Sequence, residues 1–121
     1  MNIQDAEELI KNELGILGDA PFKNYDFMAF RHKSKGSKKG KWFALIMSVS
    51  AEKLGLKSDK QVDIINLKAP SDLVPILRDF KSIFEAYHMD KKHWISVIID
   101  KSSDASLLKD LILQSYELSK G

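Results

Sequence analysis

Apolar residues recur every three or four positions at the start of the chain and gather into short strand-like runs in its middle, so the hydrophobic pattern divides it into helices and strands. Ile3, Ala6, Ile10, Leu14 and Leu17 share one helical face, with Asn2 placed to cap the helix and Gly18 to stop it. Gly15 weakens its last turn by about 1 kcal/mol relative to alanine. Asp19 to Asn24, with Pro21, reads as a connector. From Tyr25 to Arg31 the pattern switches to that of a strand, with Tyr25, Phe27 and Ala29 on a nearly apolar face and Asp26, Met28 and Phe30 on a mixed one, and Lys41 to Val49 reads as the partner strand. Between them His32 to Gly40 is rich in lysine, glycine and serine, which predicts a hairpin with a long, mobile tip.

Further along, Ser50 to Gly55 predicts one short helical turn, and Gln61 to Lys68 a third strand ended by Pro70. Leu73, Ile76, Leu77 and Phe80 return to helical spacing. With Asp72 as cap, Pro75 falls in the first turn, where its missing N–H costs nothing. A second main helix is therefore predicted from about Leu73 to Phe80. Trp94 to Ile99 is almost all β-branched or aromatic, as a strand covered on both faces would be. Ser103 or Asp104 then caps a last helix carrying Leu107, Leu108, Leu111, Ile112 and Leu118.

This order predicts an α+β fold, an antiparallel sheet with amphipathic helices packed on it. Trp42, Ala44 and Ile46 alternate with Phe43, Leu45 and Met47, so both faces of that strand need cover. Either the helices divide between the faces or a second subunit covers one of them. At 121 residues, 44% apolar and 30% charged, the chain fits a single domain spanning residues 1–121. It has no cysteine, which removes disulfides and thiolate chemistry and fits a cytoplasmic location. No leader pattern is expected at the start, where Asp5, Glu7 and Glu8 stand, and no apolar run is long enough to span a membrane.

A formal charge of +2 says little about partners; its distribution says more. Arg31, Lys33, Lys35, Lys38, Lys39 and Lys41 place six cations within eleven positions with no carboxylate among them. Each can neutralise a phosphate, and Lys91 and Lys92 form a second, smaller basic site. The bland reading of the same run is a soluble hairpin tip. Tyr87, His88, His93 and Trp94 crowd four rings around one turn, where rings with polar edges are expected to brace it from inside.

No catalytic constellation emerges. The segment from Gly36 to Trp42 has the lysine and glycines of a phosphate-binding loop, but it has one residue too few between the glycines, Trp42 in place of the magnesium-binding hydroxyl, and a strand following it. His32, His88 and His93 could hold a metal only if the fold gathered them, and neither a metal nor a cofactor is expected.

Four strings carry a family resemblance: KWFALIMSV at Lys41 to Val49, VDIINLKAP at Val62 to Pro70, AYHMDKKHW at Ala86 to Trp94, and QSYEL at Gln114 to Leu118. In their order and spacing they resemble the MmcQ/YjbR family. The resemblance implies a small α+β domain of secretion-chaperone-like arrangement, described as a predicted DNA-binding protein with a double-wing motif. It also implies that His88, Lys92, His93 and Trp94 are signature positions. The chain departs from the family's pattern just upstream, with Lys81, Ser82, Ile83, Phe84 and Glu85 where a Pro-Gly turn and a proline are expected. Two function classes follow. One is a non-enzymatic domain holding DNA phosphates on the basic hairpin, with low sequence specificity. The other is a protein-interaction or homodimerisation domain that does not bind nucleic acid.

Overall fold

In the computed structural model of the chain, residues 1–20, 27–33, 36 and 40–120 are described. Five strands form one antiparallel sheet: β1 (Phe27–Arg31), β2 (Trp42–Ser50), β3 (Gln61–Lys68), β4 (Ile83–Glu85) and β5 (Trp94–Ile99), in the spatial order β1-β2-β3-β5-β4. The helices are α1 (Ile3–Leu14), α2 (Val74–Leu77) and α3 (Ala105–Leu118), with a single 3₁₀ turn at Ala51–Leu54. The α+β expectation holds, and β3 and β5 run over the predicted residues. Tyr25 and Asp26, at the predicted start of β1, lie outside the described residues.

Local chemistry sets the ends of the two long helices. Asn2 caps α1 in a reciprocal box: its side chain accepts from the Asp5 N–H, and the Asp5 carboxylate accepts from the Asn2 N–H, each at 2.9 Å. The helix stops at Gly15 rather than the predicted Gly18. Gly15 takes a left-handed φ of 67° and its N–H returns to the Lys11 carbonyl, which is the termination glycine accepts most cheaply. Leu17 is consequently 72% exposed instead of continuing the apolar face. Asp104 caps α3 through the N–H groups of Ser106 and Leu107.

The predicted helix over Leu73–Phe80 is corrected to one turn, Val74–Leu77. Asp79 explains this. Its carboxylate accepts from the backbone N–H groups of Lys81, Ser82 and Ile83 and from the Ser82 hydroxyl, all within 2.9 Å. Those bonds build a turn that turns the chain into the unpredicted strand β4. Phe80, inside this turn, takes a left-handed φ of 57° and sets its ring edge-on against Phe84. Burial works to raise the Asp79 pKa, but the four donors outweigh it and hold the carboxyl well below the usual range.

The sheet's two faces are covered differently. Residues of α1 and α3, among them Ala6, Ile10, Leu108, Leu111 and Ile112, bury Phe30, Ile46, Ile65, Leu67, Ile95 and Val97. The opposite face carries a smaller core of Val49, Leu54, Ile64, Phe84 and Ile98, against which Met47, Leu56, Val62 and Tyr87 pack. Cover on that side thus comes from the chain itself, through the 3₁₀ turn and the segment around Tyr87. Neither of the two arrangements expected from the sequence foresaw this.

Candidate nucleic-acid interface

The β1–β2 hairpin delivers the first basic group. Its pairing slips between Phe30 and Arg31, so that Phe30 stands opposite Ala44 and Arg31 opposite Trp42, with Phe43 as the extra residue. Below the hairpin tip the His32 N–H donates to the Lys41 carbonyl at 2.9 Å. A Cβ on Gly40 would lie 1.8 Å from the His32 carbonyl oxygen, so only glycine permits this approach.

Arg31 and His32 leave the hairpin with different partners. Arg31 pairs with Asp19 at 3.2 Å and lies over the Trp42 ring at 5.5 Å. The His32 ring stacks on Tyr116 of α3 at 4.2 Å and meets Phe43 edge-on. Its Nε2 lies 2.8 Å from Ser119 Oγ. Because the Ser119 hydroxyl donates to the Ser115 carbonyl at 2.7 Å, His32 Nε2 is the donor in that pair. Burial holds the His32 pKa below 6.5; the Tyr116 backbone opposes this, while Lys120 adds to it.

Lys33 and Lys41 are exposed and make no ion pair among the described residues. Lys35, Lys38 and Lys39 lie outside the described residues. The second basic group, Lys91 and Lys92, is also exposed. Lys91 reaches Glu85 at 3.5 Å, whereas Lys92 has no ionic partner among the described residues.

Register brings these two groups to one end of the sheet. Arg31 faces Trp42, Ala44 faces Leu67, and Lys68 faces Trp94, so the close of β1, the start of β2, the close of β3 and the start of β5 line up in a row. Lys33 and Lys41 at the base of the hairpin and the Lys91–Lys92 turn therefore lie at the same end of the sheet, together with Lys68.

The four-ring cluster expected at the turn is split in two. Asp90 makes the turn: its carbonyl accepts from the N–H groups of His93 and Trp94, and its carboxylate from the Lys92 N–H. That carboxylate also meets His93 Nδ1 at 2.7 Å and draws the ring outward, so His93 is exposed and Trp94 only half-buried. The His93 contact and then the Lys92 N–H hold the Asp90 pKa low. Tyr87 and His88 pair with each other instead, ring centroids 4.0 Å apart, with His88 exposed at a left-handed φ of 57°.

What fixes that second pair was missed in the sequence. Asn66 and Ser96 are wholly buried on neighbouring strands. Asn66 Nδ2 donates to the Tyr87 carbonyl at 2.9 Å, the Tyr87 N–H donates to Ser96 Oγ at 2.9 Å, and Ser96 Oγ donates to Asn66 Oδ1 at 2.5 Å. This closed ring of bonds ties the Tyr87–Met89 segment to the sheet. A signal was present: Asn66 and Ser96 are polar residues inside otherwise apolar strands. The segment separates two concavities. One, of about 410 Å³, is lined mainly by apolar groups including Phe27, Trp42, Leu45, Met47 and Met89. The other, of about 740 Å³, reaches Glu52, Phe80 and Lys91.

Among the described residues no three His, Asp or Glu side chains gather as a metal site requires, and no helix is long and apolar enough to cross a membrane. The family model YjbR matches residues 18–118. The Bacillus subtilis protein YyaQ, itself described as uncharacterised, is 37% identical over 97% of both chains. The Escherichia coli O157:H7 protein YbdF, likewise described, is 38% identical over 54% of this chain and 45% of its own. A crystal structure of a Pseudomonas syringae protein superposes with a TM-score of 0.90 at 36% identity, covering 99% of this chain and 100% of that one. A Deinococcus radiodurans crystal structure, of a protein with the domain DUF419, follows at a TM-score of 0.72 and 25% identity, covering 97% and 77%.

Proposed function

The chain belongs to the YjbR family, and from that premise we propose that it is a non-enzymatic domain that binds the phosphate backbone of nucleic acid, DNA in the first instance. The observation that carries this reading is the convergence of two basic segments, distant in sequence, at one end of the sheet. Three strand spacings separate β1 from β5, roughly 14 Å, which compares with a major groove about 12 Å wide. Lys33, Lys41 and Lys92 are exposed there without carboxylate partners among the described residues, so binding phosphate breaks no existing ion pair. The contacts are to phosphate and carry little base preference. The test is a titration of the protein with duplex and single-stranded oligonucleotides across salt. Binding that weakens steeply with salt supports the reading, and no retention even at low salt ends it.

One observation favours a second reading, a protein-interaction or homodimerisation domain without nucleic-acid binding. The 410 Å³ concavity presents Trp42, Met47 and Met89 on the sheet face that the long helices leave uncovered. Sedimentation at several protein concentrations tests it, and a monomer throughout with no associated protein counts against it.

A further inference from the structure

We propose that Arg78, Lys91 and Lys92 form a discrete pocket for a phosphate group, between α2 and the turn that opens β5. It deepens the nucleic-acid reading by naming one phosphate contact, and it rests on that reading only for the source of the phosphate.

The three cations line one concavity of about 340 Å³ together with Ser71, Val74 and Pro75. Arg78 and Lys91 are held by a single carboxylate: Arg78 Nη1 meets Glu85 Oε1 at 3.0 Å, and Lys91 Nζ meets Glu85 Oε2 at 3.5 Å. Glu85 thus fixes two cations side by side while cancelling only one charge. Lys92 adds a third cation without an ionic partner among the described residues. Asp90, the carboxylate on the same turn, is engaged by His93 Nδ1 and the Lys92 N–H.

The guanidinium itself has capacity to spare. Its Nη1 is occupied by Glu85, it lies over the Phe80 ring at 5.8 Å, and its buried Nε has no hydrogen-bond partner among the described residues. A buried guanidinium donor left without an acceptor is unusual. That Nε is shielded from solvent, so an oxyanion reaches it only after a small shift of the side chain, and the Nε side is then half of the fork that grips an oxyanion through two parallel bonds. Lys91, Lys92 and Ser71 line the same concavity and add two ammonium groups and a hydroxyl, a donor set suited to a group with three or four acceptor oxygens. That is a phosphate rather than a planar carboxylate, and the surplus positive charge excludes a cation.

The test follows the side-chain Nε–H of Arg78 and the amides of Lys91 and Lys92 by NMR during titration with inorganic phosphate, chloride being withdrawn to keep ionic strength constant. Saturable shifts at these three residues are expected. Lys92 is exposed and has no ionic partner among the described residues, so Lys92→Gln keeps the fold and should weaken phosphate about tenfold, the size of one charge-assisted hydrogen bond. Arg78→Gln should abolish the response, with the chemical shifts of the core reporting whether the fold survives. A linear, unsaturating response at Arg78, or unchanged affinity in Lys92→Gln, overturns the pocket, even if a duplex still binds elsewhere on the protein. Ribose 5-phosphate and a duplex then separate the sources. Displacement of phosphate by the duplex identifies the backbone as its origin. Saturation by phosphate and ribose 5-phosphate, with no displacement by duplex, keeps the pocket and removes the nucleic-acid backbone as the source of its phosphate.

Discussion

Replacing Lys33, Lys41 and Lys92 together by glutamine should halve the salt sensitivity of DNA binding while leaving the fold intact. These three cations are exposed and make no ion pair among the described residues, so their loss removes charge without disturbing packing. Arg31 is counted out because Asp19 and the Trp42 ring already engage it, while Arg78 and Lys91 share Glu85 and are unchanged in the variant, so any phosphate they meet adds equally to both slopes. Counting Lys35, Lys38 and Lys39 by their charge in the sequence, and leaving out the half-buried Lys68, gives six cations. Each phosphate neutralised contributes about −0.9 to the slope of log affinity against log salt, so the expected slope is about −5 for the native chain and about −3 for the triple variant. Between 50 and 200 mM salt, affinity should then fall roughly 2,000-fold for the native chain and roughly 40-fold for the variant. Fluorescence anisotropy with a labelled duplex measures both, and a melting curve checks that the variant stays folded. Arg31→Gln is the internal control, with a slope changed by less than about one. Equal slopes for native chain and triple variant would show that these lysines do not meet phosphate, whatever the affinity.

Asn66→Ala should cost about 2–4 kcal/mol, because it leaves the Tyr87 carbonyl and the Ser96 hydroxyl without their buried partners. For a chain of this length that is a fall in melting temperature of roughly 8–15 °C, and calorimetry showing a drop under about 3 °C would remove the network from the account. His32 gives a pH dependence whose sign is set by its depressed pKa. The folded state binds its proton less readily than the unfolded state, so this contribution is complete above about 6.5 and is lost as pH falls through the lower folded value. Urea midpoints at pH 8 and pH 5 should therefore differ more for the native chain than for His32→Gln, and identical differences would exclude His32 as their source.

Those elements that a single local signal decides were legible in the sequence. Gln61–Lys68 and Trp94–Ile99 appear where their apolar runs put them, since a strand covered on both faces needs no particular phase. Asn2 and Asp104 cap their helices as their residue types suggest. The errors lie where two signals compete. Leu73, Ile76, Leu77 and Phe80 have helical spacing, but the Asp79 carboxylate offers the backbone N–H groups a better acceptor than a continued helix would. The four rings near Tyr87 look like one cluster in sequence, yet Asp90 claims His93 while Asn66 and Ser96 claim the Tyr87 backbone. Of the candidate site, the cationic residues could be listed from the sequence. Their convergence could not, because it depends on the register of β1, β2, β3 and β5. Arg78 gave no local sign, since its pocket joins residues thirteen and fourteen positions apart.

The basic end of the sheet is also stitched together by buried side-chain hydroxyls. The slip in register at Phe43 leaves a carbonyl that the β1–β2 ladder cannot use, and β3 ends with the Lys68 N–H in need of an acceptor. Ser115 of α3 satisfies both: its hydroxyl donates to the Phe43 carbonyl at 2.5 Å and accepts from the Lys68 N–H at 2.8 Å. One helical turn later Ser119 takes the His32 ring. Two buried hydroxyls thus lock the hairpin base, the end of β3 and the close of α3 into one unit, and among the described residues no buried side-chain nitrogen or oxygen there goes without its bond. Lys33, Lys41 and Lys68 leave from fixed points on that unit, so aligning them with a polyanion orders side chains rather than backbone. The entropy to be overcome per contact is correspondingly smaller than on a free basic tail. The QSYEL string that marks the family near the end of the chain contains Ser115 and Tyr116, and its place in the fold is under the cations rather than among them.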